Sequence, residues 1–552
     1  MKTNRRTFIQ SAGLGVAALG VTPPLSAKNS ISKEHADKDG QILFIGDDIA
    51  VASTAYGKVR GFVLRGINTF LGVPYGADTS GNNRFMPPQK PKAWDDVLPV
   101  VWWGNSAPQN MEKRYANVYA SFIDHWNYDD VSEDCLKLNI WTPGINDRKK
   151  RPVMVWLHGG GYTNGNAIEQ DGYHGENFSR KGDVVYVSIN HRLGPLGYAY
   201  FGAAGEKFAA SGNVGMLDCV AALEWVRDNI ANFGGDPGNV TIMGQSGGGA
   251  KVCVLTAMPS AKGLFHKAVA LSGSSLKAVE KANAEKLANY VLQEAGLTYN
   301  DIEALQQMPW KQYYEFATRA LAKYRADMKL PMVGGGGGFA PVLDGRYLPQ
   351  HPYNIEPAPT AADIPMLICS TFNEMSPSRS DSSLEKIDIN GVKEKLRERF
   401  GDKTDGLVNA YVKSFPDKKP VEIWSMIASN RQNVVALADA KTKQPAPVYV
   451  AWFGWQPPLF DNRMRAFHCS DICFWFYNTD LMLTHTGGGQ RPRKLAERMT
   501  NALLSFMRSG NPNHPSLPRW PAYTSANGET MILDDTCVVK NDPDRDARKA
   551  FV

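Results

Sequence analysis

Short apolar runs rich in β-branched residues recur along the chain and alternate with helical patterns. The runs that are typical of buried strands span residues 153–157, 184–189, 240–243, 267–271, 365–369 and 448–453. The clearest helical pattern covers residues 217–231, where apolar side chains recur on one broad face. Because strands that alternate with helices form a parallel sheet, we predict an α/β fold with functional loops at the strand ends.

The length and composition indicate an ordinary globular protein. The 552 residues are 43% hydrophobic and 21% charged, which argues against both a disordered chain and a membrane-embedded one. No linker or internal repeat interrupts the sequence after residue 41, so we predict a single domain over residues 42–552. The glycine run 334–338 is interpreted as a mobile loop within that domain.

The charge and the cysteine content argue against a nucleic-acid partner, a disulfide scaffold and a metal site. The formal net charge is +6, and no dense Lys/Arg block carries interleaved aromatic residues, so nucleic acid is not a predicted partner. Seven widely spaced cysteines are an odd number, which is unlike a disulfide scaffold and leaves at least one unpaired. His468, Cys469 and Cys473 lack a second matching pair of ligands, so no metal site is predicted.

The first 27 residues have the pattern of an export signal. They contain adjacent arginines, an apolar stretch and a terminal run of small residues, in the order Arg5-Arg6, Phe8-Ile9, 14–21 and Ala27. We predict a twin-arginine signal peptide over residues 1–27, followed by a flexible lead over residues 28–41. The mature protein is therefore expected to be periplasmic or secreted.

Two positions depart from the commonest twin-arginine pattern. Asn4 and Gln10 stand where Ser/Thr and Lys are commonest, so an ordinary secretory signal or a retained anchor stays an alternative. The apolar stretch is too short to span a bilayer stably, so no stable membrane insertion is predicted.

A serine flanked by glycines follows one of the predicted strands. The sequence Gly244-Gln245-Ser246-Gly247-Gly248 lies between an apolar run and a helix-compatible segment, which is the context of a nucleophile elbow. Side chains beside a serine on such a sharp turn would collide with the strand and the helix, so glycine is favoured there. Ser246 is the predicted nucleophile, although the motif alone is equally compatible with a glycine-rich loop.

A second glycine-rich loop, His158-Gly159-Gly160-Gly161-Tyr162, follows another predicted strand. When a hydroxyl attacks an ester carbonyl, the carbonyl oxygen becomes negative, and each preorganised N–H donor stabilises it by about 3 kcal/mol. We predict that Gly160, Gly161 and Gly247 supply these donors. A phosphate-binding loop is the weaker alternative, because its lysine and hydroxyl are missing.

The serine also needs a base and a buried acid that orients this base. His468 comes late in the chain, after an apolar run, as the order of serine, acid and histidine requires. Taken by itself, a lone histidine is more often structural. Glu374 follows the predicted strand 365–369 and is the candidate acid, with Asp344 and Asp471 as competing choices.

Nine stretches of the chain carry a resemblance to a known family, namely residues 70–75, 84–85, 132–139, 158–162, 190–197, 212–218, 229–237, 510–513 and 520–523. On these stretches the chain, from about Ile42 to the C-terminus, resembles the type-B carboxylesterase and cholinesterase family. The resemblance implies the α/β-hydrolase fold, with a large, mostly parallel central sheet covered by helices on both sides. It also implies a serine carboxylesterase that acts on small-molecule esters without a cofactor or metal.

The same resemblance aligns individual positions with family roles. Ser246 aligns with the nucleophile, Glu374 with the acid and His468 with the base. The oxyanion donors of the family align with Gly160, Gly161 and Gly247, and a serine that supports the acid aligns with Ser272.

Three positions depart from the family pattern. Gln245 stands where the family usually has glutamate, so cationic substrates are expected to gain less attraction beside the nucleophile. Gly247 replaces the usual alanine, which keeps the amide donor and makes the turn slightly more flexible. Cys135 matches a cysteine that is often disulfide-bonded in relatives, but residues 107–109 contain no partner for it, so that disulfide is expected to be missing.

Other functions stay open at this point. Some members of the family have lost catalysis and act as binding or adhesion proteins, and the same machinery also serves hydrolases of amides, lactones or polyesters. The sequence defines neither the ester nor the oligomeric state. Aromatic residues that could line a substrate gorge, or simply pack in the core, are Trp102, Trp103, Trp126, Trp455, Phe460 and residues 474–476.

Overall fold

The computed structural model describes residues 40–110, 130–330, 338–354, 356–429 and 431–551. The predicted signal peptide, nearly all of the predicted lead, most of the glycine run and Trp126 lie outside the described residues. The described residues from 42 to 551 belong to one compact unit.

The described residues form seventeen strands, of which twelve make up one large sheet and five belong to two small ones. The strands are β1 Leu43–Phe44, β2 Val51–Thr54, β3 Gly57–Arg60, β4 Phe62–Leu64, β5 Ile67–Pro74, β6 Leu98–Pro99, β7 Lys137–Thr142, β8 Arg151–Leu157, β9 Val185–Ile189, β10 Gly235–Gln245, β11 Lys267–Leu271, β12 Val279–Glu280, β13 Val342–Leu343, β14 Met366–Thr371, β15 Val448–Phe453, β16 Glu529–Leu533 and β17 Val538–Asn541. The order in the large sheet is β1-β4-β5-β7-β9-β8-β10-β11-β14-β15-β16-β17. Neighbours from β9 to β16 are parallel, and the other pairs in this sheet are antiparallel.

Helices cover both faces of this sheet. They are α1 Gly175–Gly182, α2 Gly194–Tyr198, α3 Val214–Asn229, α4 Gly247–Leu255, α5 Lys281–Ala295, α6 Ile302–Gln307, α7 Trp310–Asp327, α8 Ile389–Phe400, α9 Thr404–Ser414, α10 Pro420–Ala428, α11 Arg431–Lys441, α12 Ile472–Trp475, α13 Leu483–Thr486, α14 Gln490–Ser509 and α15 Arg545–Lys549. Successive residues of β8 point to opposite faces, and Val155 and Trp156 are fully buried in two different apolar clusters. The predicted mostly parallel sheet with helices on both sides is confirmed.

The parallel part of the sheet determines where the functional loops meet. Five neighbouring strands of the sheet run in the same direction, in the order β8, β10, β11, β14 and β15. Their carboxyl ends therefore lie along one edge of the sheet. In open α/β sheets this edge is where ligands bind.

Three further features concern membranes, disulfides and metals. No helix in the described ranges is long and apolar enough to cross a membrane. All seven cysteines, including Cys135, lie in these ranges, and none of them is disulfide-bonded to another described residue. No cluster of three or more His, Cys, Asp and Glu side chains that could hold a metal occurs in the part of the chain that the structure describes.

Candidate active site

Ser246 lies on a sharp turn between the last residue of β10 and the first residue of α4. Its backbone has φ 57° and ψ −123°, a conformation that residues with side chains rarely adopt. A Cβ added at Gly248 would lie 2.0 Å from the carbonyl oxygen of Leu157, and one added at Gly244 would lie 2.4 Å from the backbone of Gly248. The flanking glycines are therefore required by the close approach of helix and strands.

The glycine loop after β8 lies beside this turn. Gly160 and Gly161 have φ values of 88° and 59°, which turn the backbone sharply. Among the described residues, the amide groups of Gly160, Gly161 and Gly247 have no hydrogen-bond acceptor. A Cβ added at Gly247 would lie only 2.5 Å from the amide nitrogen of Gly161, so an alanine here would have to displace the loop. These unpaired amides can bind an oxyanion that forms on a carbonyl attacked by Ser246.

His468 and Glu374 meet at the same edge of the sheet. The Nδ1 of His468 lies 2.5 Å from Oε2 of Glu374. The other carboxylate oxygen, Oε1, accepts hydrogen bonds from the hydroxyl of Ser272 at 2.6 Å and from the amide of Thr371 at 2.8 Å. Because Ser272 directly follows β11 and Glu374 follows β14, adjacent strand ends hold the carboxylate in position. The carboxylate can in turn fix the tautomer and orientation of the imidazole.

Gln245 connects this pair to the nucleophile. Its amide nitrogen lies 3.3 Å from Nε2 and 3.4 Å from Nδ1 of His468, so the imidazole packs against the residue that precedes Ser246. The hydroxyl of Ser246 itself makes no hydrogen bond to a described residue in this structure. Hydrogen bonds between catalytic groups are often long without substrate and shorten in the reacting complex.

Cys469 also contacts the site, although no sequence motif predicted a role for it. Its thiol donates to Oε1 of Gln245 at 3.2 Å, on the opposite end of the amide from His468. The side chain of Gln245 is therefore held between these two groups. The adjacency of Cys469 to the predicted base was the only signal in the sequence.

The two competing acids have other partners. Asp344 accepts from the side-chain amide of Asn213 at 2.8 Å and from the backbone amides of residues 346–348. Asp471 accepts from the indole N–H of Trp475 at 3.1 Å. Burial, together with the charge of Glu374, raises the pKa of Asp471 to about 7. Of the three candidate acids, only Glu374 contacts the imidazole.

Four of the aromatic candidates pack in the core. Trp455 and residues 474–476 are fully buried in the apolar cluster that contains Trp156. Trp103 and Phe460 are half-buried, whereas Trp102 is 66% exposed. Trp455 and residues 474–476 therefore pack in the core, which was the alternative to lining a substrate gorge.

The surroundings of His468 control its protonation. Burial of the ring lowers the pKa, but the neighbouring Cys469 and the carboxylate of Glu374 outweigh this effect, and the pKa of His468 is raised well above its ordinary value of 6.5. A carboxylate at hydrogen-bond distance favours the charged imidazolium, which is also the form that the base adopts after it takes the serine proton.

The raised pKa predicts the acid side of the pH profile. A general base must be neutral to accept a proton, so kcat/KM is expected to fall as the pH drops through the pKa of His468, with a midpoint above 6.5. The measurement is kcat/KM for a neutral ester between pH 5 and pH 9, with Tm recorded at each pH to exclude unfolding. A midpoint at or below 6.5 in the folded protein would contradict the arrangement.

Ser246, the His468–Glu374 pair and the unpaired amides at the sheet edge define the class of protein, a serine hydrolase with the α/β-hydrolase fold. Residues 48–551 match the model of the carboxylesterase family. The chain belongs to this family, and it is a carboxylic-ester hydrolase.

Individual relatives agree with this assignment over nearly their whole length. Para-nitrobenzyl esterase of Bacillus subtilis (strain 168) is 31% identical over 507 residues, which are 90% of this chain and 98% of that protein. Phenmedipham hydrolase of Pseudarthrobacter oxydans is 32% identical and covers 88% of this chain and 95% of its own. The solved structure of an esterase from anaerobic Clostridium hathewayi, which can hydrolyse aliphatic aromatic polyesters, superimposes with a TM-score of 0.80 at 33% identity over 92% of this chain and 99% of that one.

Proposed function

We propose that ester hydrolysis by this chain proceeds through an acyl-enzyme on Ser246. His468 takes the proton of the hydroxyl as Ser246 attacks the ester carbonyl, and the resulting oxyanion binds the amides of Gly160, Gly161 and Gly247. The imidazolium then gives its proton to the departing alcohol. In the second step, water loses a proton to His468, attacks the acyl group and releases the acid.

One observation carries this proposal. The 2.5 Å pair of His468 and Glu374 packs on Gln245, the residue directly before a serine in a strained turn beside unpaired amides. A binding or adhesion protein on the same scaffold would need none of these groups to converge. The catalytic function is therefore favoured over the non-catalytic one.

Neutral esters are the substrate class that the site supports best. Gln245 is fully buried and uncharged, and it contacts the base, so no carboxylate at this position attracts a cationic alcohol group. The relatives include a para-nitrobenzyl esterase and an esterase that can hydrolyse aliphatic aromatic polyesters. Neutral aromatic esters are accordingly the first compounds to test, with matched amides and lactones beside them.

The charge preference can be measured with two isosteric esters. We expect kcat/KM to be no higher for a 2-(trimethylammonio)ethyl ester than for the neutral 3,3-dimethylbutyl ester of the same acid. Gln245→Glu should shift this ratio towards the cation by roughly 10-fold, the effect of about 1.4 kcal/mol of added attraction. A wild-type preference for the cation would contradict the proposal, as would an unchanged ratio in the active variant.

Export by the twin-arginine route stays a prediction. It is supported by Arg5-Arg6, the apolar stretch that follows and the small residues that end at Ala27. These residues lie outside the described ranges. A periplasmic or secreted location is the corresponding expectation.

A further inference from the structure

We propose that Lys251 is a positioning residue that holds the oxyanion loop, defined as residues 158–161, against the helix that follows the nucleophile. The inference rests on the proposed function, because it concerns the amides that bind the oxyanion. Lys251 has no place in the proton transfers described above, and nothing in its sequence context marks it as functional.

Lys251 joins the two halves of the oxyanion hole. It lies on α4, four residues after Gly247, and its Nζ donates a hydrogen bond of 2.8 Å to the carbonyl oxygen of His158. The helix can approach this closely only because residue 248 is a glycine, since a Cβ there would lie 2.9 Å from the same oxygen. A single ammonium group thus connects the helix that presents one donor to the loop that presents the other two.

The ammonium is buried at a cost in stability. The side chain of Lys251 is fully buried, with its ammonium 5.9 Å from the centre of the Tyr162 ring, and no carboxylate in the described residues forms an ion pair with it. A buried charge without an ion pair is expensive, and burial lowers the pKa of Lys251 to about 8 although Cys219 and Glu169 partly oppose this effect. A methionine of similar length would avoid this cost but would leave the carbonyl of His158 without its donor.

The two imidazole rings beside the loop do not supply a charged donor in place of Lys251. The ring of His158 stacks on that of His191 at 4.8 Å, and its Nδ1 contacts the carbonyl of Gly159 at 3.0 Å. Burial lowers the pKa of both imidazoles well below the ordinary value, so the rings are neutral and carry no charge that could replace the ammonium. Lys251 is therefore the charged donor under this loop.

Lys441 provides a matched control elsewhere in the chain. It is also buried, and its Nζ donates to the carbonyl oxygen of Ala361 at 3.0 Å. Burial lowers its pKa to about 8, as for Lys251. It lies at the end of α11 and contacts none of the proposed catalytic groups, so Lys441→Met removes the same chemistry without touching the oxyanion loop.

The experiment compares Lys251→Met with Lys441→Met in the full-length chain. For Lys251→Met we expect kcat to fall by about 10²-fold, as when one oxyanion donor is lost, with KM changed less than about 3-fold. Affinity for a trifluoromethyl ketone, which forms a tetrahedral adduct with the serine, should fall by a similar factor. Lys441→Met should lower Tm but leave kcat within about 2-fold of the wild type.

Two outcomes would overturn the inference: a kcat within 3-fold of the wild type in folded Lys251→Met, or equal losses of kcat in both variants. If Lys251→Met does not fold, Lys251→Leu, which also removes the donor but has a shorter side chain, decides in its place by the same 3-fold limit. Wild-type protein that fails to hydrolyse esters would instead overturn the proposed function, so the two failures are distinguishable.

Discussion

Ser246→Ala is expected to lower kcat for a neutral ester by about 10⁴-fold or more while Tm stays within a few degrees of the wild type. The alanine removes the atom that forms the acyl-enzyme, so the remaining oxyanion donors have no tetrahedral adduct to stabilise. Because Ser246 already adopts the strained backbone at φ 57°, and its hydroxyl has no partner among the described residues, the substitution should cost little folding energy.

The control for this variant is a serine in the same sheet that lies outside the site. Ser188 is fully buried on β9, and its hydroxyl accepts a hydrogen bond from Asn139 at 3.2 Å. Ser188→Ala should keep kcat within about 2-fold of the wild type. Hydrolysis by Ser246→Ala at more than about 1% of the wild-type rate would remove Ser246 from its role.

His468→Gln is expected to reduce kcat by a factor similar to that of Ser246→Ala, about 10⁴-fold, because the hydroxyl then loses the group that takes its proton. Since the two residues act as a unit, the double variant should be no worse than either single variant. The measurement is kcat for the three proteins with one neutral ester, at a pH above the midpoint of the wild-type profile.

A second histidine paired with a glutamate provides the control. Nε2 of His351 lies 3.1 Å from Glu280, but this pair lies outside the cluster around Ser246. His351→Gln should leave kcat within about 2-fold. If the losses of kcat add in the Ser246/His468 double variant, or if His468→Gln loses less than 10-fold in kcat, the imidazole is not the base.

The central strands were predictable because burial on both faces produces an unbroken apolar run. Residues 448–453 match β15, and residues 267–271 match β11, without a shift at either end. The edge strand Val538–Asn541 was not predicted. Its residues are mostly exposed, so no apolar run marks it.

The site was predictable only in part. Ser246 and the glycine loop have local motifs, so the residues themselves indicate the chemistry. The contact of Gln245 with His468 joins positions 223 residues apart and depends on how the loops pack. Lys251 could not be identified either, because the sequence does not show that its ammonium lies under the oxyanion loop.

The most direct test of the whole account is the site of covalent modification by a fluorophosphonate, read by mass spectrometry of the intact protein and of its peptides. One adduct per chain is expected on Ser246, and none is expected in Ser246→Ala. An active wild-type enzyme that gains no adduct, or one that carries it on another residue, would contradict the assignment of the nucleophile.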